Sequence, residues 1–183
     1  MPDGPLTPSK VQLDVDPDTI AAPARAPFVE LGVVSCFSFL RGASLPVRLV
    51  ETAYALGYDA VGIADANSMA GVVRLHTNAK KVKLTPVIGC RIETVEGLAF
   101  LAYPTDRAAY GRLCRLISAG RMRKLDGAWQ DKGACDISLA MLAEHGEGVQ
   151  LILLPPGDLT ATFDLSRHPR ESGDPASFEE PQQ

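Results

Sequence analysis

The sequence predicts an α/β fold with a largely parallel sheet of about five strands flanked by helices. Two observations carry that prediction. Compact apolar runs recur along the chain, most clearly Asp59-Ala60-Val61-Gly62-Ile63-Ala64 and Val149-Gln150-Leu151-Ile152-Leu153-Leu154. Segments with apolar residues at helical spacing lie between them, so strand-like and helix-like stretches alternate along most of the chain.

Order is expected to begin near Phe28, because residues 1–27 are rich in Pro, Asp, Ala and Thr and show no periodicity. Phe28 to Ser35 suits a first short strand. Ser44 is placed to cap a helix with Pro46 in its first turn. Leu49, Val50, Ala53 and Leu56 recur on one face of that helix, and Gly57 ends it. Asp59 to Ala64 reads as a buried parallel strand ending at Asp65. Asn67 or Ser68 is expected to cap a second helix running to about Val82, with Val72, Val73, Leu75 and Ala79 available for packing. Pro86 to Cys90 is a third strand. Leu98 to Tyr103 is a fourth, joined to the third by a hairpin near Glu96-Gly97. Thr105 is expected to cap a third helix with Tyr110, Leu113, Leu116 and Ile117 as its apolar stripe. Ser138 to His145 is a short helix, and Val149 to Leu154 is the fifth strand.

Composition narrows the function classes. The chain has 183 residues, 46% of them hydrophobic and 22% charged, which suits one globular domain rather than a disordered chain. A net charge of −4 gives no hint of a general nucleic-acid binder. The cluster Arg112, Arg115, Arg121, Arg123 and Lys124 is read as a solvated helix face and its exit loop. The four cysteines, at 36, 90, 114 and 135, form no Cys-x-x-Cys pair, so a zinc knuckle is not expected. Cys36, Cys90 and Cys114 sit among apolar residues and read as small hydrophobes. Neither a signal peptide nor an apolar run long enough for a bilayer is seen, which makes the cytoplasm the expected compartment.

Three stretches look like one family. They are Glu30 to Ser44, with the string Ser38-Phe39-Leu40-Arg41-Gly42-Ala43-Ser44; Gly62 to Arg74, with Ile63-Ala64-Asp65-Ala66-Asn67-Ser68; and Tyr103 to Leu116. Together they resemble the PHP (polymerase and histidinol phosphatase) domain that opens the error-prone bacterial C-family DNA polymerases, relatives of the DNA polymerase III alpha subunit. The resemblance implies part of a (β/α)7-like distorted barrel. It covers residues 28–158 as a truncated PHP domain, between a flexible leader over 1–27 and a disordered tail over 159–183. The tail's Arg167-His168-Pro169-Arg170-Glu171-Ser172-Gly173-Asp174-Pro175 run is similar to peptides encoded by bacterial interspersed repeats.

In the family's metal-binding members, histidines and acids at strand ends hold divalent metals. The resemblance places those ligands at positions that are mostly empty here. The His-x-His that follows a Leu is replaced, after Leu31, by Gly32 and Val34. The Asp-His pair survives only as Asp65, with Ala66 where the imidazole would stand. Arg91 follows Cys90 where an acid is expected. Gly, Val and Ala cannot ligate a metal, and a guanidinium repels one. Asp65 is therefore expected to cap or tie backbone rather than to act as a ligand. His76 reads as a partly buried helical residue and His145 as a cation at a helix end. Arg41 could bind phosphate or pair with an acid.

The resemblance then implies an amino-terminal piece of a translesion polymerase involved in DNA repair and damage-induced synthesis. It would have no catalytic, metal or cofactor site of its own. Magnesium would be needed only by the full-length polymerase. Expected partners are the remainder of the polymerase and other translesion-synthesis proteins, with DNA met only through the full enzyme. Two alternatives stay open: a stand-alone PHP-type metallophosphoesterase, and a free polymerase-interaction module.

Overall fold

The structure is a computed structural model that describes residues 26–155. The expected tail over 159–183, and all but the last two residues of the expected leader, lie outside the described residues. Five strands and four helices follow in the order β1 (Ala26–Val33), α1 (Pro46–Ala55), β2 (Tyr58–Ala66), α2 (Val72–Lys81), β3 (Thr85–Glu93), β4 (Ala99–Pro104), α3 (Arg107–Met122), α4 (Leu139–His145) and β5 (Val149–Leu154). They form one sheet in the sequential order β1-β2-β3-β4-β5.

The sheet is mixed, not largely parallel. β1 with β2 and β2 with β3 pair in parallel, whereas β3 with β4 and β4 with β5 are antiparallel. The hairpin after β3, with Gly97 at a φ of 85°, reverses β4. The α3–α4 excursion then returns β5 in the direction of β3. One reversed strand therefore accounts for both antiparallel pairings.

Three of the expected caps are corrected. Leu45, not Ser44, precedes α1, and no side chain caps that helix. The Ser44 carbonyl instead accepts the Cys36 N–H at 2.9 Å and closes the β1–α1 loop. Gly71 precedes α2, again without a side-chain cap, so neither Asn67 nor Ser68 serves. Asp106 caps α3, accepting the Ala109 N–H at 2.7 Å, while Thr105 donates from Oγ1 to the Gly148 carbonyl at 2.8 Å. Thr105 thus ties the start of α3 to the start of β5. Ser138 caps α4 as expected, and His145 Nδ1 lies 3.0 Å from the Met141 carbonyl at that helix's end.

Helices cover one face of the sheet. Val50 and Ala53 of α1 and Leu75 and Ala79 of α2 pack on Val61 and Ile63. Leu113, Leu116 and Ile117 of α3 and Leu142 of α4 pack on Cys90, Ile92 and Ala102. Each fully buried aliphatic side chain contributes about 1.5–3 kcal/mol. Burial raises the Cys90 thiol to about 12, so it behaves as a small core hydrophobe. Cys36 and Cys114 are only half-buried.

The other face is concave and lightly filled, by Ala64, Leu101 and Tyr103 with Leu31, Val87 and Leu154. Tyr103 measures the curl. Its hydroxyl donates to the Leu31 carbonyl at 2.5 Å, from β4 to β1. Three inter-strand steps would put those strands roughly 14 Å apart in a flat sheet, beyond a tyrosine's reach. Gly89 permits the crossing, since a Cβ there would fall 2.3 Å from the Tyr103 ring. The sheet is therefore a half-barrel curled about its helix-free face.

Candidate functional site

The signature positions gather at the carboxyl ends of β1, β2 and β3, where chemistry normally sits in α/β folds. Gly32 lies in β1 and Val34 just beyond it. Asp65 and Ala66 end β2, and Ala66 is in register with Arg91 of β3.

Asp65 is only 1% exposed. Its Oδ1 accepts the Ser35 N–H at 2.8 Å and the Ser38 hydroxyl at 2.8 Å, and its Oδ2 accepts the Ser35 hydroxyl at 2.7 Å. The Ser38 oxygen in turn accepts the Ala66 N–H at 2.9 Å. Asp65 caps no helix. It ties the β1–α1 loop to the end of β2 across 30 residues of sequence. Buried carboxylates require such donors, because an ion stripped of water is costly unless hydrogen-bonded.

Arg91 and Arg41 converge on Glu93. Arg41 donates to Glu93 Oε1, and Arg91 Nε lies 3.0 Å from the same oxygen without pointing at it. Burial alone would raise the Glu93 carboxyl, but the hydrogen bond and charge of Arg41, with the charge of Arg91, hold it below the usual carboxylate range. The same hydrogen bond raises the Arg41 guanidinium. Of the two roles open to Arg41, the structure shows the pairing with an acid.

Asn67 completes the rim, with its backbone in the left-handed region at a φ of 44°, where asparagine is tolerated better than most residues. Its Oδ1 accepts the Glu93 N–H at 3.0 Å and its N–H donates to the Arg91 carbonyl at 2.8 Å. Arg121 of α3 donates twice to the Asn67 carbonyl, at 3.0 and 2.8 Å.

Ser35, Ser38, Asn67, Glu93 and Arg121 were not singled out for this site by sequence reasoning. Glu93 carried a signal, since it shares strand parity with Arg91 and so faces the same way. Arg121 carried none, because its partner is a carbonyl 54 residues away. The basic cluster is less free than expected. Arg112 binds the Glu147 carbonyl, Arg123 stacks 3.7 Å over Trp129, and Lys124 pairs with Asp131 at 2.8 Å. His76 is half-buried on α2.

The divalent metals held by the family's metal-binding members do not fit these residues. Asp65 spends both oxygens on Ser35 and Ser38, the neighbouring ligand positions hold Gly32, Val34 and Ala66, and two guanidiniums occupy Glu93. Among the described residues, no three His, Cys, Asp or Glu side chains gather to hold a metal. No described helix is long and apolar enough to cross a membrane.

The PHP domain family matches residues 30–180. An error-prone DNA polymerase of Allorhizobium ampelinum is 42% identical over 148 residues, which is 80% of this chain and 13% of that protein. One from Caulobacter vibrioides is 42% identical over 138 residues, 75% of this chain and 12% of its own length. One from Rhodopseudomonas palustris is 45% identical over 134 residues, 70% of this chain and 12% of its own. The matched region is homologous to the N-terminal region of these polymerases, so this chain spans about 13% of the length of the relatives it matches. With most of its residues matched and the half-barrel in place, the chain belongs to the PHP domain family.

Proposed function

We propose that this chain is a structural docking domain of the error-prone polymerase type, without a metal centre or catalysis of its own. The observation that carries this reading is the Arg41–Glu93–Arg91 cluster at the strand ends where the family's metal-binding members keep their ligands. Side by side with the fully engaged Asp65, it offers a divalent ion charge repulsion in place of open carboxylates.

On this reading the partners are the remainder of a polymerase and other translesion-synthesis proteins. DNA is met only through the complete enzyme, which would extend primers past damaged template with magnesium and deoxynucleotides. This chain would not polymerise alone, because two-metal phosphoryl transfer needs a pair of metals held by carboxylates. Elemental analysis of the chain purified without chelators, with melts in added zinc, manganese or magnesium, tests the reading. Substoichiometric metal and unmoved melting are expected. Several tightly held metals per chain, together with hydrolysis of a phosphoester, would establish the metallophosphoesterase alternative instead.

A further inference from the structure

Phe39 and Leu40 are 85% and 89% exposed, more than any other large apolar side chain among the described residues. Their loop is nevertheless tightly braced. Asp65 holds Ser35 and Ser38 from below. The Ser38 N–H donates to the Ser35 carbonyl at 3.0 Å, and the Arg41 and Gly42 N–H groups both donate to the Ser38 carbonyl at 3.0 Å. Gly42 packs so closely that a Cβ would fall 2.3 Å from the Ser35 carbonyl oxygen. Leu40 itself has a φ of 62°, a left-handed backbone that glycine or asparagine would adopt more readily.

A large apolar pair, exposed, strained and fixed, is disfavoured by both solubility and conformation. Such outliers persist where the surroundings enforce them, and the inference runs from outlier to function. Two guanidiniums lie on or against the same loop. Arg41 follows the pair directly, and Arg74 sits 5.3 Å from the Phe37 ring centroid. Phenylalanine and arginine are both enriched at protein interfaces relative to the rest of the surface. A loop already fixed in shape also loses less entropy on binding.

We propose that Phe39 and Leu40 form a preformed anchor for an apolar, acid-rimmed pocket on the polymerase polypeptide that lies outside the matched region. This rests on the docking role proposed above. Two facts select that occupant. The matched region is 13% of the Allorhizobium relative, so most of that polypeptide lies beyond it. Arg74 is exposed and sits 5.3 Å from the Phe37 ring of the same loop, so it complements an acidic rim. A nucleic-acid strand fits less well, since leucine has no ring to stack on a base and Arg41 is already set against Glu93.

The test uses the full-length Allorhizobium ampelinum polymerase with its matching 148 residues replaced by those of this chain. A Phe39→Ser/Leu40→Asn double variant is made in that chimera and in the free 183-residue chain. Hydrogen exchange should show greater protection of the β1–α1 loop in the chimera than in the free chain. The double variant should lose roughly tenfold or more of that extra protection, the scale of a lost interface anchor. In the free chain the double variant should melt no lower than the parent, because the changed side chains are exposed and asparagine relieves the left-handed backbone. Extra protection that survives the double variant would overturn the anchor while leaving the docking role standing. A chimera whose loop exchanges like the free chain's would overturn both. A free-chain variant that melts well below the parent would show that the pair serves the fold instead.

Discussion

Replacing Asp65 with alanine should be among the most damaging single changes in the described domain. It removes the acceptor of three hydrogen bonds at 2.8, 2.8 and 2.7 Å, all in buried surroundings. The Ser38 and Ser35 hydroxyls can rotate in search of other acceptors. The Ser35 N–H cannot, and Ser35 is fully buried. A buried donor left unmade costs about 1–3 kcal/mol. One donor lost outright and two partly rescued, offset by no longer desolvating a carboxylate, give about 3 kcal/mol. For a chain of this length that lowers the melting temperature by roughly 6–12 °C. Asp65→Asn keeps one carbonyl oxygen for Ser35 N–H and Ser38, and Ser35 Oγ can turn to accept from the new amide. Its cost should be about 1 kcal/mol, the charge-assisted part of the bonds. Urea melts of the two variants, with exchange of the Ser35 amide, read the difference. Asparagine as damaging as alanine would favour a role that needs the charge, and an alanine variant within roughly 0.5 kcal/mol of the parent would refute the tether.

Two further outcomes are expected. Glu93 is held below the ordinary carboxylate range in the fold, so its contribution is fully present above the unfolded carboxylate value and is lost as pH falls through the folded one. Glu93→Gln should therefore lower stability at neutral pH and flatten the acid limb of the stability profile; a parallel profile would show that the arginines gain nothing from Glu93. Leu151, Ile152 and Leu153 of β5 are 41%, 43% and 44% exposed in a strand hydrogen-bonded to β4. Such a strand promotes association, so light scattering should show concentration-dependent self-association that Ile152→Lys reduces, and a parent that stays monomeric at high concentration would remove the premise.

Much of the fold was legible because the strands are compact apolar runs. β5 matches its expected span at both ends, and the hairpin at Gly97 follows from glycine's access to a positive φ. The caps were harder to read. Ser44, Asn67 and Thr105 are all residues that cap helices well, yet Asn67 and Thr105 turn to partners distant in sequence and Ser44 closes its own loop through its carbonyl. Local propensity cannot report that competition. The reversal of β4 was implicit in the expected hairpin, whereas the direction of β5 was not, since an apolar run has no sign to show its direction. At the site, the resemblance marked Gly32, Val34, Ala66 and Arg91 as positions without a ligating side chain, and the strand pattern placed the Asp65 carboxylate at a strand end. Which donors would claim it was not legible, because Ser35 and Ser38 reach it only through the fold.

On the proposed reading, the residues at the strand ends make physical sense only as a set. A metal cluster holds several carboxylates and imidazoles together by offsetting their mutual repulsion. Without that cation, remaining acids need other partners or must be desolvated at a loss. Here Glu93 has Arg41 and Arg91, while Asp65 has the Ser35 N–H and two hydroxyls. Arg41 and the two serines all belong to the β1–α1 loop, the same loop that carries Phe39 and Leu40. The interactions that satisfy the two acids therefore also fix the shape of that loop. Restoring a single imidazole at Ala66 would add a ligand but leave both acids engaged, so it should not by itself create a metal site. On the proposed reading, metal binding would require releasing Asp65 or Glu93, and that release would loosen the loop that presents Phe39 and Leu40.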